Sequence, residues 1–254
     1  MAGAVFGAML LATLVPDGTL PGTGAPPHAQ EVPAPCAVPP EMQGLPGALP
    51  RTLERIRAGR AVRILAIGSS STVGVGASTP TRAYPPRLET ALEARFPDID
   101  FTVRNDGIVG EAAAATLKRL KRDVVDWEPD LVIWQVGTND ALNDVPLDDF
   151  ADTVRRGVQW TGDRGVDIVL MDPQYYPDVP HEDVYTAFVD AIGHIVAETG
   201  VPLLPRYRIM RHWASQPRDM PVLSGDGLHM NGAGYQCIAE LLADGILERS
   251  KQAE

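Results

Sequence analysis

Five short apolar segments alternate with longer amphipathic segments from residue 61 onward, and this alternation limits the fold more than any other feature. Most of the apolar segments are rich in aliphatic and β-branched residues, which is typical of strands buried on both faces. Buried strands joined by helical crossovers form a parallel sheet between two layers of helices. The sequence therefore predicts a three-layer α/β/α sandwich whose strands span residues 61–68, 99–104, 130–136, 166–171 and 201–204.

The segments between these strands follow a helical period. In the third of them, Leu147, Phe150, Val154 and Val158 recur at steps of three and four residues, which places them on one face of a helix. Asn231 precedes the last such segment and suits the N-cap position. Helices are predicted at residues 84–96, 111–127, 147–161, 183–199 and 232–247.

The first 58 residues differ from the rest of the chain. The apolar run from Ala4 to Val15 has the length of a signal-peptide core and is too short to span a bilayer, although no Lys or Arg precedes it. We interpret residues 1–30 as a signal peptide or hydrophobic N-terminal segment, which predicts a periplasmic or secreted protein. Residues 31–58, rich in Pro and Gly near their start, are predicted to be an arm on the surface.

Charge excludes two classes of partner. The chain has 22 Lys and Arg residues against 33 Asp and Glu residues, a net charge of −11. Nucleic acids and anionic membranes bind clustered positive charge, so neither is an expected partner. The single basic run, residues 118–122, is followed by acidic residues and is interpreted as the solvated face of a helix.

The chain contains two cysteines, Cys36 near its start and Cys237 in the last predicted helix. In an exported protein such a pair is compatible with a disulfide that joins the arm to that helix. Two independent small buried residues are equally compatible with the sequence, and both alternatives stay open at this point.

Polar blocks follow four of the predicted elements at the edge where ligands bind in parallel α/β sheets. Residues 68–72 follow the first strand, residues 105–110 the second and residues 137–140 the third, while residues 224–229 precede the last helix. These blocks contain a hydroxyl, glycine amides, a carboxamide, a carboxylate and an imidazole. Acyl transfer requires such a set: a nucleophile, donors to an oxyanion, and a base with an orienting acid.

The four blocks, in this order, resemble those of the SGNH or GDSL-type hydrolases. The resemblance implies that Ser70 is the nucleophile, with Asp226 and His229 completing a catalytic triad. It implies an oxyanion hole made by Ser70, Gly110 and Asn139. It also implies a flavodoxin-like fold in which a five-stranded parallel sheet has the strand order 2-1-3-4-5.

On this interpretation residues 59–250 form an SGNH hydrolase domain. His229 removes the proton from Ser70 and later returns it to the leaving alcohol, without a metal or cofactor. The expected substrates are small-molecule or polysaccharide carboxylic esters, with short acyl or O-acetyl groups favoured. Ser69 stands where the family usually has Asp, so support for the serine loop is expected to differ.

Several alternatives follow from the same residues. An acyltransferase and a non-catalytic carbohydrate-binding protein on the same scaffold remain open. A metal site at Asp226 and His229 lacks further ligands at suitable spacing, and no dinucleotide or phosphate-loop motif occurs. Asn139 and Asp140 could instead form a turn with a helix cap. The segment Pro173–Pro177 could line the substrate pocket or form a rigid aromatic turn.

Overall fold

The computed structural model describes residues 1, 3, 36–217 and 221–252. The chain divides into two compact units, Met1–Gln30 and Glu31–Glu254, and the fold described below belongs to the second. The predicted signal peptide, apart from Met1 and Gly3, lies outside the described residues.

The second unit contains one five-stranded sheet in which every pair of neighbouring strands is parallel. The strand order is β2-β1-β3-β4-β5, which confirms the predicted topology. β2 extends three residues beyond its predicted end because its last residues are polar and carry no apolar signal, although they pair with β1 as far as Gly68. The strands are β1 (Val62–Gly68), β2 (Phe101–Gly107), β3 (Leu131–Gln135), β4 (Asp167–Met171) and β5 (Leu203–Leu204).

Nine α-helices lie within the described ranges, and all five predicted helices are among them. Asn231 Oδ1 accepts hydrogen bonds from the N–H groups of Ala233 and Gly234, which confirms its predicted capping role. Within residues 36–217 and 221–252, no helix combines the length and the apolar character needed to cross a membrane. The helices are α1 (Pro50–Arg57), α2 (Ser70–Val73), α3 (Tyr84–Arg95), α4 (Ala113–Trp127), α5 (Thr138–Leu142), α6 (Leu147–Gly162), α7 (Glu182–Thr199), α8 (Arg206–Ser215) and α9 (Gly232–Gln252).

Two apolar clusters cover the two faces of the sheet, as the three-layer prediction requires. Alternate residues of β1 belong to different clusters: Ile64 lies with residues of α1, α3, α8 and α9, whereas Leu65 lies with residues of α4, α6 and α7. Both side chains are fully buried. Because successive side chains of a strand point to opposite faces, one central strand supports both helical layers.

The prediction of a surface arm is wrong for part of residues 36–58. Leu45 and Leu49 are each only 1% exposed, and Leu53 of α1 is also buried. A Cβ at Gly245 of α9 would lie 3.0 Å from Leu45 Cδ1, so the arm packs directly on that helix. Leu45, Leu49 and Leu53 recur at four-residue steps, but the Pro and Gly residues around the first two argue against a helix there. Their burial depends on a surface formed by distant residues.

Two further contacts fix this segment to the domain. Cys36 and Cys237 form a disulfide, which decides between the two alternatives left open by the sequence. At the other end of the segment, the N–H of Thr52 donates to Asp167 Oδ2 at 2.7 Å. A carboxylate at the start of β4 therefore satisfies an N–H group in the first turn of α1, where helical acceptors are missing.

Candidate active site

The predicted nucleophile and base are in hydrogen-bonding contact. Ser70 is the first residue of α2, directly after β1 and Ser69. Its Oγ lies 2.9 Å from His229 Nε2, although the two residues are 159 positions apart in the chain. Ser70 is 9% exposed and the His229 side chain 15% exposed, so the contact is shielded from solvent but remains reachable from one side.

His229 lies at the end of a short hairpin that also carries Asp226. The two strands of this hairpin meet at a bridge between Leu223 and Met230. His229 Nδ1 lies 2.7 Å from Asp226 Oδ2. A proton on Nδ1 would donate to this carboxylate and leave Nε2 as the acceptor for the Ser70 hydroxyl.

The second carboxylate oxygen of Asp226 holds the hairpin itself. Asp226 Oδ1 accepts hydrogen bonds from the Ser224 hydroxyl at 2.6 Å and from the N–H groups of Leu228 and His229 at 3.0 and 2.9 Å. Partial burial raises the pKa of the Asp226 carboxyl, but the hydrogen bonds from Ser224 and His229 outweigh it and hold this pKa well below its usual range. Asp226 is therefore ionised at neutral pH.

Gly110 lies in an exposed turn beside the serine loop. Its φ angle is +78°, a left-handed conformation that favours glycine, and no heavy atom lies within 4 Å of a Cβ built there. The turn is anchored by the N–H of Ile108, which donates to the carbonyl oxygen of Gly68 at 3.0 Å. The backbone of the second block is thereby fixed two residues from Ser70.

Asn139 and Asp140 bind the loop that follows Gly110. Asn139 Nδ2 donates to the carbonyl oxygen of Glu111 at 2.9 Å. Both carboxylate oxygens of Asp140 accept the N–H of Ala113, at 2.9 and 3.1 Å, at the start of α4. Asp140 lies inside α5 and so does not form the predicted turn with its own helix cap; its carboxylate instead binds the first N–H of α4. Burial raises the pKa of the Asp140 carboxyl.

Arg119 provides a second support for this loop. Its Nε donates to Glu111 Oε1 at 3.0 Å, and one terminal nitrogen donates to the backbone oxygen and Oδ2 of Asp106 at 3.0 and 2.8 Å. The Arg119 side chain is only 11% exposed. The interpretation of residues 118–122 as a solvated face is thus wrong at this position, because α4 turns Arg119 toward the end of β2.

Gln135, the last residue of β3, supports the serine loop by hydrogen bonds. Its Oε1 accepts hydrogen bonds from the N–H and the hydroxyl of Ser69, at 2.9 and 3.0 Å, and from Thr72 Oγ1 at 3.3 Å. Ser69 predicted that the serine loop would be supported differently from the usual Asp of the family. In the structure, the buried carboxamide of Gln135 provides that support. The signal in the sequence was a polar residue at the end of an otherwise apolar strand.

The aromatic residues after β4 pack against other rings. Tyr175 meets Tyr207 edge-on with ring centroids 5.6 Å apart, and Tyr176 meets Tyr185 in the same way at 5.8 Å. Tyr176 is 7% exposed. These contacts favour a rigid aromatic turn over a pocket lining for Tyr176, while Tyr175 is half-buried.

Comparison with known proteins decides the family. The model of the non-GDSL lipase-like family matches residues 35–252 of this chain. The chain belongs to the non-GDSL lipase-like family. The strand order and fold are those of SGNH-type hydrolases. Non-GDSL lipase-like membership confirms the resemblance predicted from the four blocks: the chain is an SGNH-type carboxylic-ester hydrolase.

Three relatives of this non-GDSL lipase-like protein are esterases. An arylesterase of Vibrio mimicus is 26% identical over 188 residues, which cover 73% of this chain and 88% of the relative. An acetylxylan esterase of Geobacillus stearothermophilus is 28% identical over 141 residues, which cover 52% and 61%. The structure of a two-domain esterase active on acetylated mannans has a TM-score of 0.66 at 24% identity, covering 83% and 56%. The chain thus spans less than two thirds of the last two proteins.

Proposed function

We propose that the protein hydrolyses carboxylic esters through an acyl-Ser70 intermediate, with His229 as general base and Asp226 as its orienting acid. The observation that carries this proposal is the continuous chain of hydrogen bonds from Ser70 Oγ to His229 Nε2 at 2.9 Å and from His229 Nδ1 to Asp226 Oδ2 at 2.7 Å. A serine hydroxyl attacks an ester only when a neighbouring base removes its proton, and this contact supplies such a base.

The proposed reaction proceeds in two halves. Ser70 Oγ bonds to the ester carbonyl carbon while His229 Nε2 takes the hydroxyl proton. The C–O bond to the alcohol then breaks, and the imidazolium gives its proton to the departing alkoxide oxygen. Water next attacks the acyl-serine, losing a proton to His229, and the carboxylic acid leaves as Ser70 regains a proton from the imidazolium. The ionised Asp226 stabilises the imidazolium in each half.

The oxyanion of each tetrahedral intermediate is proposed to bind three donors. Ser70 lies at the start of α2, where N–H groups have no helical acceptor, and its amide is one donor. The amide of Gly110 is the second. Asn139 Nδ2 carries two N–H bonds, one of which donates to Glu111, and the other is available as the third.

Short acyl groups, and O-acetyl groups in particular, are the proposed preference. Two of the relatives are esterases of acetylated polysaccharides, an acetylxylan esterase and an esterase active on acetylated mannans. The arylesterase relative supports small aryl esters as additional substrates. We therefore propose small-molecule or polysaccharide acetyl esters as the substrate class.

The test uses an active-site probe and a substrate series. A fluorophosphonate, which reacts with an activated serine, should label the wild-type protein and the control Ser250→Ala but not Ser70→Ala. Ester hydrolysis should be abolished in Ser70→Ala and His229→Ala and unchanged in His194→Ala, an exposed histidine elsewhere. Asp226→Ala should keep a small residual activity. Undiminished hydrolysis by purified Ser70→Ala would refute the proposal.

The substrate arm compares p-nitrophenyl esters of increasing acyl length with acetylated xylan. The value of kcat/KM should fall as the acyl chain lengthens, and acetate should be released from the polysaccharide. Rates that rise with chain length would contradict the short-acyl preference. Absence of both labelling and hydrolysis would favour a non-catalytic carbohydrate-binding protein, and ester formation with an added sugar acceptor would favour an acyltransferase.

Export is also part of the proposal, with residues 1–30 as the signal. The disulfide between Cys36 and Cys237 supports it, because such bonds persist in oxidising compartments. Fractionation of the producing cells, with the N-terminal mass of the mature protein, tests this. An intact N-terminus on a protein confined to the cytoplasm would contradict it.

A further inference from the structure

Gln174 connects two loops of the active site through one buried side chain. It follows β4, is 1% exposed, and belongs to none of the four sequence blocks. The hydroxyl of Ser71 donates to Gln174 Oε1 at 2.6 Å. Gln174 Nε2 donates to the carbonyl oxygen of Leu228 at 2.9 Å. One carboxamide thus bonds to the chain neighbours of both Ser70 and His229.

The backbone of Gln174 is bound as firmly as its side chain. Its N–H donates to Thr138 Oγ1 at 3.3 Å, and Thr138 immediately precedes Asn139. Its carbonyl oxygen accepts the Tyr185 hydroxyl at 2.6 Å, and Tyr185 is 2% exposed on α7. The backbone is thus held on both sides, and the two side-chain hydrogen bonds hold the carboxamide between the loops.

We propose that Gln174 is a positioning residue that sets the separation between Ser70 Oγ and His229 Nε2. This inference rests on the proposed function, since it concerns the same serine and histidine. The two groups lie on loops that the chain brings together from 159 residues apart, and they must stay within hydrogen-bonding distance for proton transfer. A misplacement of about 1 Å typically costs about 10²-fold in rate.

The chemistry of Gln174 makes this role specific. Its Oε1 faces a donor and its Nε2 faces an acceptor, so the carboxamide satisfies both loops at once. Glutamate has nearly the same shape and can still accept from Ser71. When ionised, however, it places a negative oxygen against the Leu228 carbonyl, and only its protonated form can donate there.

The experiment compares Gln174→Met, Gln174→Glu and Thr161→Val with the wild-type protein. Thr161 is a fully buried residue near the end of α6 whose hydroxyl donates to the Gly157 carbonyl, so its valine variant controls for lost stability alone. Each protein is assayed for urea unfolding, for kcat and KM on p-nitrophenyl acetate, and for the rate of fluorophosphonate labelling.

We expect Gln174→Met to lower kcat and the labelling rate about 10²-fold with KM changed little, because binding surfaces remain while the proton path is misaligned. In Gln174→Glu, the ratio of variant to wild-type kcat should rise several-fold from about pH 8 to about pH 5.5, as protonation restores a donor. Thr161→Val should retain wild-type kcat. Should Gln174→Met not fold, the pH dependence of Gln174→Glu still decides the question.

Two results would overturn the inference. One is a folded Gln174→Met with kcat within twofold of wild type, and the other is a Gln174→Glu ratio that does not change with pH. Failure of the proposed function has a different signature, since Ser70→Ala would then keep its activity. If Ser70→Ala is inactive and Gln174→Met is fully active, the assignment of Ser70 as nucleophile is supported and only the positioning role of Gln174 is rejected.

Discussion

Ser69 donates two hydrogen bonds, one from its backbone N–H and one from its hydroxyl, to the same Oε1 atom of Gln135. The resemblance to the SGNH hydrolases predicts an acidic residue at the position of Ser69, directly before Ser70. Here Ser69 stands at that position, and Gln135 Oε1 on the neighbouring strand β3 accepts the hydrogen bonds that hold the loop. Gln135 is 2% exposed, so its bonds face no competition from water.

Gln135→Leu should therefore disturb the serine loop. It leaves the Ser69 donors and Thr72 Oγ1 buried without an acceptor, which typically costs about 1–3 kcal/mol of stability for each such group. We expect kcat to fall at least about 10-fold, since Ser70 follows directly. Gln135→Glu keeps the accepting oxygen and should recover most of the activity. Equal kcat in the leucine variant and the wild type would show that the loop is held by other contacts.

Asn139→Ala should lower kcat by about 10²–10³-fold with little change in KM, because an oxyanion donor acts mainly in the transition state. The loss of the bond to the Glu111 carbonyl should add a modest loss of stability. Steady-state kinetics on p-nitrophenyl acetate measure the first effect and urea unfolding the second. Asn143→Ala, an exposed residue at the end of α5, is the control. A rise in KM alone would contradict the assigned role.

Gly107→Ala should displace Ser70, the proposed nucleophile, by pushing on the backbone of its neighbours. A Cβ at Gly107 would lie 2.9 Å from the Ser69 carbonyl oxygen and 2.9 Å from the Thr72 carbonyl carbon, and both are backbone atoms that cannot rotate away. We expect a loss of about 1–3 kcal/mol in stability and a clear fall in kcat. Gly162→Ala, where no atom lies within 4 Å, should be neutral in both measurements. A Gly107→Ala enzyme with normal kcat would mean that α2 can shift without penalty.

Removal of the disulfide by Cys36→Ser with Cys237→Ser should destabilise the protein by about 2–5 kcal/mol, the usual range for a native bond that closes a long loop. The bond joins residues 201 positions apart. Thermal unfolding with and without reductant measures the effect, and reductant should leave the double variant unchanged. The value of kcat at temperatures below unfolding should stay near wild type, since the disulfide joins the N-terminal arm to α9 and neither residue belongs to the loops that carry Ser70 and His229. Equal Tm values for the two proteins would contradict this expectation.

Asp172 makes stability depend on pH. It is 2% exposed, its Oδ1 accepts the N–H of Tyr207 at 2.9 Å, and burial raises its pKa to about 7 despite the opposing charge of Arg206. The folded protein holds this proton more tightly than the unfolded chain does. The protonated carboxyl therefore stabilises the fold, and this contribution to the free energy of unfolding is fully present below the ordinary pKa of about 4. It is lost as the pH rises toward about 7.

Asp172→Asn cannot ionise, so its stability relative to wild type should increase by about 2 kcal/mol between about pH 5 and about pH 8. Urea unfolding at several pH values gives this difference. Thr161→Val changes no titratable group and should give a constant difference over the same range. A constant difference for Asp172→Asn would show that the carboxyl does not titrate there.

The sheet and the five main helices were predictable because each depends on local periodicity, whereas the strand order came from the resemblance to the SGNH hydrolases. The roles of Gln135 and Gln174 were not predictable. Gln135 is marked only as a polar residue at the end of an apolar strand, and Gln174 follows no pattern. The hydrogen-bond partners of both are known only once distant strands are placed. Arg119 was misinterpreted for a related reason. A charged residue on a helix is usually solvated, and only the position of α4 beside the end of β2 lets this side chain reach Asp106.

The packing of the N-terminal arm also could not be predicted from the local sequence. Leu45 and Leu49 occur in a stretch whose composition alone argues against burial. Their places are created by α9 and neighbouring residues, which come almost two hundred positions later. Local sequence therefore identified where regular elements lie, but not which irregular segments they would bury.

The bond between Cys36 and Cys237 also has a mechanical consequence. The proposed catalytic and oxyanion residues all lie between these two cysteines in the chain. Tension applied to the protein from its two ends would pass through the sulfur bridge and α9, and could extend only the residues outside the covalent loop. The loops that carry Ser70, Gly110, Asn139 and His229 would bear none of that force, so the separation of Ser70 and His229 should persist under tension applied at the two ends.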